Sequence, residues 1–378
     1  MLQIKHWLYC FILVLGCISC VSSTTSDALQ QSTTTTDTLQ YAQYFSIAHA
    51  TNYSILSLYN PWKKGETLAI FYVVTDPSVA TPNDHPRLVA PLNKVCIQSA
   101  PHLGFIEALQ QTASVTGAAS PQLLYSPTVR ERYQRGEVSH LGDAYQLRIE
   151  SIVQLQPHAL FTTAYPQEDP IAQRLQAVNV PVIPTAEWAE SSLLARAEWI
   201  KVYGLLWNCS EKADSIFNQV AHEYEQLRLL ATQSQYSPSV MSGLPFKDTW
   251  YMPGGNSFMG QLFQHAHLQY YFSKTQETAS LPLSFETVWY HFKEAELWVG
   301  IDATSYQEVA QMDKRLSRFN AIQTKNTFHY KKRITPDGGN DFWESAMVYP
   351  NRLLHDLIKV AHPHLLPNDS TFYIDSLQ

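Results

Sequence analysis

The sequence predicts an α/β fold made of two Rossmann-like lobes that are joined by a long central α-helix. Three observations support this prediction. Short β-type segments alternate with helical segments, the two halves of the chain repeat one order of motifs, and a long helical pattern lies between the halves. In α/β sheets, ligands bind at the carboxyl ends of the strands, so we expect a ligand cleft between the lobes.

Composition limits the class of protein. The chain has 378 residues, of which 45% are hydrophobic and 16% are charged, so it can bury a large core. At about 150 residues per domain, this length indicates two lobes. The formal net charge of −7 argues against a nucleic-acid partner, which a basic face would bind. Outside the first 20 residues, only Cys96 and Cys209 remain, too few for a disulfide scaffold.

The first residues are typical of a secretory signal. An apolar segment at residues 7–18 is too short to span a membrane as a helix. Its end, Val14-Leu15-Gly16-Cys17, resembles the lipobox of bacterial lipoproteins, so we predict a signal peptide over residues 1–17 and lipidation of Cys17. Cys20 is the second candidate for the lipid. An ordinary signal peptide with incidental cysteines is the alternative.

The rest of the chain is predicted to contain a tether and a two-lobed body. Ser, Thr, Gln and Asp dominate the residues after the signal and cannot build a core, so residues 18–40 are predicted as a flexible tether. The predicted body consists of an N-terminal α/β lobe with a leading β-hairpin at residues 41–186, linking helices at 187–232 and a C-terminal α/β lobe at 233–378.

Local patterns place the elements of this body. β-type residues on both sides of a turn-like Lys-Lys-Gly-Glu segment predict a hairpin with strands at residues 53–59 and 68–74. Further strands are predicted at residues 87–97, 159–162 and 180–183, and helical spacing continues through residues 189–206 and 212–230. The last two segments predict the long central helix.

An internal repeat supports the two lobes. Residues 148–161 match residues 284–299, and in each copy a glutamate opens a short helix and an alanine nine residues later begins a buried strand. A second pair precedes it in the same order, with residues 99–113 matching residues 254–266. Chance similarity of generic βα units is the alternative.

Several segments together resemble a known family. Residues 142–161, the strand at 180–182, Trp250-Tyr251-Met252-Pro253-Gly254-Gly255 and Asn340-Asp341-Phe342-Trp343-Glu344 are similar to segments of ABC-importer substrate-binding proteins that carry metal chelates such as ferric siderophores, haem and cobalamin. The resemblance covers about residues 87–363. Two features depart from the family: His158 replaces its usual aspartate, and the hairpin before residue 80 is an addition.

The resemblance implies a function and partners. The chain is expected to capture a small-molecule metal chelate between its lobes and to deliver it to an ABC permease and its ATPase. It is also expected to lie on the periplasmic side of the bacterial cell envelope, held by a lipid anchor. We expect no catalytic activity, no cofactor beyond the transported chelate, and no nucleic-acid partner.

Two glutamates match the family's docking positions. In related proteins, one exposed glutamate on each lobe binds arginines of the permease, and Glu150 and Glu286 match these positions. A carboxylate accepts a bidentate arginine fork, so two separated pairs would set the orientation of the complex. The alternative is that each glutamate only stabilises the amino end of its helix through the helix dipole.

The ligand is expected to contact loops of both lobes. Aromatic faces would bury the apolar periphery of a chelate, and Ser and Asn would orient its polar edge. The candidate ligand-binding residues are Ser99, His102, Tyr165, Trp250, Tyr251, Asn256, Ser257, Asp341, Phe342 and Trp343. Glycine pairs beside Trp250 and Trp343 favour loops for both. The alternative is that these tryptophans belong to the core.

Histidine pairs support a rival class of function. His265 and His267 form one H-x-H pair, and His362 and His364 form another. A secreted metal-dependent hydrolase or a free-metal-binding protein could use such pairs, but it would need three or four converging ligands. The sequence identifies no further ligand and contains no H-E-x-x-H or nucleophile-elbow motif, so we predict no resident metal site.

Overall fold

The computed structural model describes residues 34–167 and 170–378, and its first element is a five-stranded sheet. The strands follow one another in sequence order: β1 (Thr35–Thr36), β2 (Phe45–His49), β3 (Ser54–Tyr59), β4 (Thr67–Val74) and β5 (Arg87–Val89). Neighbours are antiparallel except β4 and β5. The predicted hairpin is confirmed as β3 and β4, and the sheet extends it on both sides.

The first lobe is a parallel sheet with helices between its strands. Its elements are β6 (Val95–Ile97), α1 (Ala100–Ala108), β7 (Val115–Ala118), α2 (Pro127–Gln134), β8 (Ser139–His140), β9 (Gly142–Asp143), β10 (Gln146–Leu147), α3 (Ile149–Leu155), β11 (Ala159–Thr163), α4 (Pro170–Gln176) and β12 (Val182–Thr185). The parallel sheet has the order β12-β11-β6-β7-β8, whereas β9 and β10 form a separate hairpin. The predicted α/β class is confirmed.

The strand predicted at residues 87–97 is wrong as a single element. It is two strands, β5 and β6, which belong to different sheets. Between them lies Pro91, which has no backbone N–H to donate to a sheet. The chain therefore leaves the N-terminal sheet at this point and enters the first lobe.

The linking region contains three helices, α5 (Leu193–Glu198), α6 (Ile200–Leu206) and α7 (Ser210–Ala231). The predicted long helix is α7, whose 22 residues bury Ala213, Phe217, Val220 and Tyr224 along one face at helical spacing. The helical pattern at residues 189–206 forms the two shorter helices instead. Asn208 has a φ of 51°, outside the helical region, and separates α6 from α7.

The second lobe repeats the α/β architecture with additions. Its elements are β13 (Val240–Ser242), β14 (Pro245–Phe246), β15 (Thr249–Pro253), α8 (Phe258–His265), β16 (Ser280–Leu283), α9 (Phe285–Phe292), β17 (Leu297–Val299), α10 (Tyr306–Met312), α11 (Asn320–Gln323), β18 (Thr327–His329), α12 (Asp341–Ser345), α13 (Pro350–Ala361) and β19 (Asp375–Ser376). The main sheet has the order β13-β17-β18-β19, with only β19 antiparallel. Strands β14, β15 and β16 form a separate antiparallel sheet.

Two buried glutamates attach the N-terminal segment to the linking helices. The Glu198 carboxylate is fully buried and accepts hydrogen bonds from the backbone N–H groups of Gln40, Tyr41 and Ala42 at 2.8 to 2.9 Å. The Glu190 carboxylate accepts further backbone bonds at residues 43 and 44. The predicted tether therefore ends earlier than residue 40, because β1 and the residues after it are bonded to the body.

The predicted signal peptide and both candidate lipidation cysteines, Cys17 and Cys20, lie outside the described residues. Within the part of the chain that the structure describes, no helix has the length and apolar character needed to cross a membrane.

Candidate ligand-binding cleft

The first-lobe side of the predicted cleft is built at the carboxyl ends of three neighbouring parallel strands. Ser99 follows β6, Tyr165 follows β11, and a 3₁₀ turn at Glu187–Ala189 follows β12. Side chains join these ends: the hydroxyls of Ser99 and Thr163 are 3.2 Å apart, and the Thr163 N–H donates to Gln98 Oε1 at 2.7 Å. The ends of the strands are thus held as one surface.

His102 supports this surface from inside. It is fully buried in α1, and its Nε2 lies 3.1 Å from the Thr185 hydroxyl at the end of β12. Burial lowers the pKa of His102 to about 3, so the ring is neutral at physiological pH. The structure corrects the prediction that His102 contacts the ligand: a side chain without exposed surface positions the strand end. Ser99, at the start of α1, is partly exposed and stays a prediction.

Trp250 is likewise a core residue. Its side chain is fully buried, its indole N–H donates to the Ser242 carbonyl at 3.0 Å, and its ring lies 5.5 Å from Trp298 and 5.9 Å from Phe319. Along β15, burial alternates with the period of a strand, which places Trp250 inside and Tyr251 outside. The prediction that Trp250 lines the cleft is therefore wrong, whereas Tyr251, 49% exposed, stays a candidate.

The loop before α8 uses its polar groups within itself. The Ser257 hydroxyl donates to the Gly254 carbonyl at 2.6 Å and accepts from the Gly260 N–H at 3.1 Å, so it caps the helix. Asn256 is exposed and donates to Gln276 Oε1 at 3.1 Å. A side chain at Gly255 would come within 2.5 Å of the Phe272 carbonyl, which explains the glycine there. Asn256 stays a candidate, and Ser257 is a helix cap.

Two side chains of the segment at residues 340–344, Asp341 and Phe342, are turned inward. Asp341 is buried and forms an ion pair with Arg333 at 2.6 Å, while the buried Phe342 ring stacks on Tyr330 at 4.3 Å. The predicted ligand contacts of Asp341 and Phe342 are corrected accordingly, because both side chains are committed to internal partners. Trp343, 66% exposed, stays a candidate.

Helix α12 packs against α1 of the first lobe. A side chain at Gly104 would lie 1.9 Å from the Glu344 carbonyl, so only glycine allows this approach. The Glu344 carboxylate accepts hydrogen bonds from the N–H groups of Tyr125 and Ser126 at 2.8 and 2.9 Å. Burial raises the pKa of Glu344 to about 8.

Titration of Glu344 is expected to make stability depend on pH. The pKa of Glu344 is higher in the folded state, so the folded protein binds the Glu344 proton more tightly than the unfolded chain does. The stability that this proton contributes is fully present below about pH 4.5 and is lost as the pH rises through about 8. Glu344→Gln should flatten this part of the profile, measured by urea unfolding between pH 4.5 and 8. An unchanged slope in the variant would show that another group titrates there.

Cavities elsewhere do not coincide with this region. One of about 650 Å³ is lined by Val180, Pro181 and Val182, and one of about 680 Å³ by Ser239 and Ala295. These residues precede or begin β12, β13 and β17, so both cavities lie at the amino ends of parallel strands. Ligands of α/β sheets bind at the opposite ends.

Comparison with known proteins is consistent with this geometry. The family model described as periplasmic binding protein matches residues 103–334. The chain belongs to the periplasmic binding protein family.

Curated relatives of this periplasmic binding protein include two proteins of Methanocaldococcus jannaschii. The uncharacterized lipoprotein MJ0878 is 20% identical over 75% of this chain and 68% of its own length. The uncharacterized lipoprotein MJ0872 is 22% identical over 94% of this chain and 93% of its own length. The predicted family resemblance is confirmed.

Solved structures share the fold of this binding protein. A periplasmic heme binding protein from Pseudomonas aeruginosa aligns with a TM-score of 0.56 at 14% identity, covering 76% of this chain and 98% of that one. The periplasmic heme-binding protein RhuT from Roseiflexus sp. RS-1 aligns with a TM-score of 0.54 at 16% identity, covering 72% and 100%. The two-lobed fold predicted from the repeat is confirmed.

One histidine of each H-x-H pair in this binding protein is hydrogen-bonded to a neighbouring residue. His265 Nδ1 lies 2.7 Å from the Tyr224 hydroxyl, and His362 Nε2 lies 3.0 Å from the Ala266 carbonyl. In residues 34–167 and 170–378, no group of three or more His, Cys, Asp or Glu side chains is placed to hold a metal ion.

The two predicted docking glutamates occupy equivalent places in the repeat. Glu150 is the second residue of α3 and Glu286 is the second residue of α9, and both side chains are exposed. Helix α3 leads to β11, an interior strand of the first-lobe sheet, and α9 leads to β17, an interior strand of the second-lobe sheet.

Sequence reasoning missed four residues beside the first-lobe strand ends. Glu187 and Trp188 directly follow the predicted strand that became β12, so their place at its carboxyl end was available as a signal. Arg196 lies in a helical segment, where one basic residue is unremarkable. Trp62 lies in the turn between β3 and β4, a hairpin that is an addition to the family pattern.

Proposed function

We propose that this chain is the substrate-binding component of an ABC importer and that it binds a metal chelate between its two lobes. The observation that carries the proposal is the match of the periplasmic binding protein family across both lobes, residues 103–334. Candidate contacts that remain accessible are Ser99, Tyr165, Tyr251, Asn256 and Trp343. Solved proteins of the same fold include heme-binding ones, which supports a flat chelate as the first ligand to test.

A binding screen tests this function. The full chain, purified in mild detergent, is titrated with haemin, cobalamin and a ferric hydroxamate siderophore and followed by calorimetry and absorbance. We expect saturable binding of one of these chelates without chemical conversion. Turnover of the ligand, or binding of free metal ions alone, would favour the hydrolase or metal-binding alternative.

The proposal includes the permease and its ATPase as partners. The exposed positions of Glu150 and Glu286, one on each lobe, support docking through two carboxylate–arginine contacts. A role limited to the helix dipole does not require the same residue at the same place in both lobes.

Replacing both glutamates is expected to separate binding from transport. The Glu150→Ala, Glu286→Ala double variant should retain the chelate affinity of the wild type, because neither carboxylate is among the cleft residues. Uptake of the chelate by cells should fall at least tenfold. Glu131→Ala, an exposed glutamate on α2, is the matched control. Normal uptake by the double variant would contradict the docking role.

A lipid anchor in the cell envelope is also part of the proposal. Lipoprotein relatives such as MJ0878 support it, as does the lipobox-like segment that ends at Cys17. Membrane fractionation of the full chain and of its Cys17→Ala and Cys20→Ala variants tests it. If the double variant stays in the membrane fraction, neither Cys17 nor Cys20 carries the lipid anchor.

A further inference from the structure

Three aromatic rings from separate segments form a row beside the first-lobe strand ends. Tyr165 follows β11, Trp188 follows β12, and Trp62 comes from the N-terminal sheet. The ring centroids of Tyr165 and Trp188 are 5.7 Å apart, and those of Trp188 and Trp62 are also 5.7 Å apart. The Trp188 indole N–H donates to the Ala164 carbonyl at 2.9 Å, which fixes the orientation of the central ring.

The row is not part of the core. Among the described residues, neither Tyr165 nor Trp188 belongs to a buried hydrophobic cluster, and Tyr165 is 47% exposed. Trp62 is partly buried and packs against the core from the N-terminal sheet. A row of rings with accessible faces at the carboxyl ends of parallel strands is suited to a flat apolar ligand.

A cation without a hydrogen-bonding partner lies near this row. The guanidinium of Arg196 is 4.9 Å from the Phe258 ring, which belongs to the second lobe and follows the Asn256 loop. Among the residues that the structure describes, this guanidinium makes no hydrogen bond and no ion pair. Burial lowers the pKa of Arg196 to about 10, and it remains protonated at physiological pH. An anionic group of a ligand would supply the partner that these N–H donors lack.

One carboxylate oxygen of Glu187 is a second unpartnered atom at the same place. Its side chain is 98% buried, and its Oε2 has no hydrogen-bond partner in the described chain. The Glu187 carboxylate is near enough to both Tyr165 and Arg196 to act on their pKa values: it adds to the rise that burial causes at Tyr165 and partly offsets the lowering that burial causes at Arg196. Buried polar atoms normally have partners, so the site lacks a hydrogen-bond donor that a ligand can supply.

We propose that Trp62, Trp188 and Tyr165, with Arg196 beside them, form a subsite for a flat conjugated ligand surface that carries an anionic group. This inference rests on the proposed solute-binding function and narrows its ligand class. Trp62 lies outside residues 103–334, which match the family model. The N-terminal sheet therefore takes part in ligand selection, and the family scaffold alone does not supply the complete subsite.

Porphyrin binding tests the subsite without a metal. The full chain in mild detergent is titrated with metal-free protoporphyrin IX, which is flat and carries two carboxylates, and with its uncharged dimethyl ester. Tryptophan quenching and porphyrin absorbance report binding. We expect the free acid to bind about tenfold more tightly than the ester.

Variants assign the two parts of the subsite. Trp62→Ala is expected to weaken binding of both porphyrins about tenfold, and Arg196→Gln to remove the preference for the free acid. Tyr290→Ala, which removes a 77% exposed ring from α9, is the matched control and should leave both affinities unchanged. Tyr165→Ala removes a half-exposed ring outside the core, so it tests the row even if Trp62→Ala lowers the melting temperature.

The outcomes separate this inference from the proposed function. Unchanged porphyrin affinity in the Tyr165, Trp62 and Arg196 variants would overturn the subsite, and binding of cobalamin or a siderophore would leave the proposed function standing. The wild type could bind porphyrin but no metal chelate, and the variants could lose porphyrin binding. That result would support the subsite and overturn the proposal that the ligand is a metal chelate. A wild-type protein that binds none of these compounds would overturn both.

Discussion

Glu198→Ala is expected to lower the free energy of unfolding by about 3 to 5 kcal/mol. The Glu198 carboxylate is fully buried, accepts three backbone N–H bonds from residues 40–42 and lies 3.1 Å from the ammonium of Lys201. Alanine would leave the donors without acceptors and the largely buried Lys201 without its nearest counter-charge. Urea unfolding of the full chain measures the loss.

The matched control for this variant is Glu131→Ala. Glu131 is exposed on α2, and surface substitutions of this kind usually change stability by less than about 0.5 kcal/mol. Limited proteolysis adds a local measurement: in Glu198→Ala, cleavage near residues 40–44 should become faster than cleavage elsewhere. Equal stability of the two variants would show that the N-terminal segment is held by other contacts.

Trp250→Ala is expected to cost about 3 to 5 kcal/mol of stability because it removes a fully buried indole from the second lobe. The ring contacts Trp298 and Phe319, and its N–H is bonded to the backbone of β13. The cavity left behind cannot be filled by alanine. Thermal or urea unfolding without ligand measures the effect.

Trp343→Ala is the comparison that separates core from surface. Trp343 is 66% exposed on α12, so its loss should change stability by less than about 0.5 kcal/mol. If Trp343 contacts the ligand, its variant should instead show weaker binding with unchanged unfolding. A stable Trp250→Ala variant with impaired binding would contradict the core position and restore the original prediction for this residue.

These two stability predictions concern residues that support the segments beside the predicted cleft. Glu198 and Glu190 hold the N-terminal segment against the linking helices. The N-terminal sheet that follows this segment places Trp62 next to Trp188 at the first-lobe strand ends. Trp250 fills the second lobe under β15, whose outward residue Tyr251 remains a ligand candidate. Neighbouring residues therefore have separate roles: buried ones such as Trp250 stabilise the fold, and exposed ones such as Tyr251 remain accessible to a ligand.

Much of the architecture could be predicted because it depends on local patterns. The hairpin of β3 and β4 follows from alternating β-type residues around a turn, and α7 follows from apolar residues at helical spacing. The repeat around Glu150 and Glu286 predicted equivalent helices before β11 and β17, and the structure places one in each lobe. Each of these features is encoded within a short stretch of sequence.

Tertiary contacts decide which individual side chains are buried and which partners they bond. Whether Trp250 or Tyr251 faces the core depends on the register of β15 against its neighbours, and His102 is buried where α1 meets Thr185 at the end of β12. Residues 34–40 looked like a tether because their composition is polar. They are ordered because buried carboxylates more than 140 residues away accept the backbone N–H groups that follow them.

The sequence alone was sufficient for the family, the α/β class and the two exposed glutamates, because motifs and repeats survive in linear order. The composition of the proposed subsite was not predictable in the same way. Trp62 lies more than 100 residues from Trp188 along the chain, and the two rings meet only because the N-terminal sheet packs on the first lobe. Side chains that become neighbours through such long-range packing leave no pattern in a single sequence.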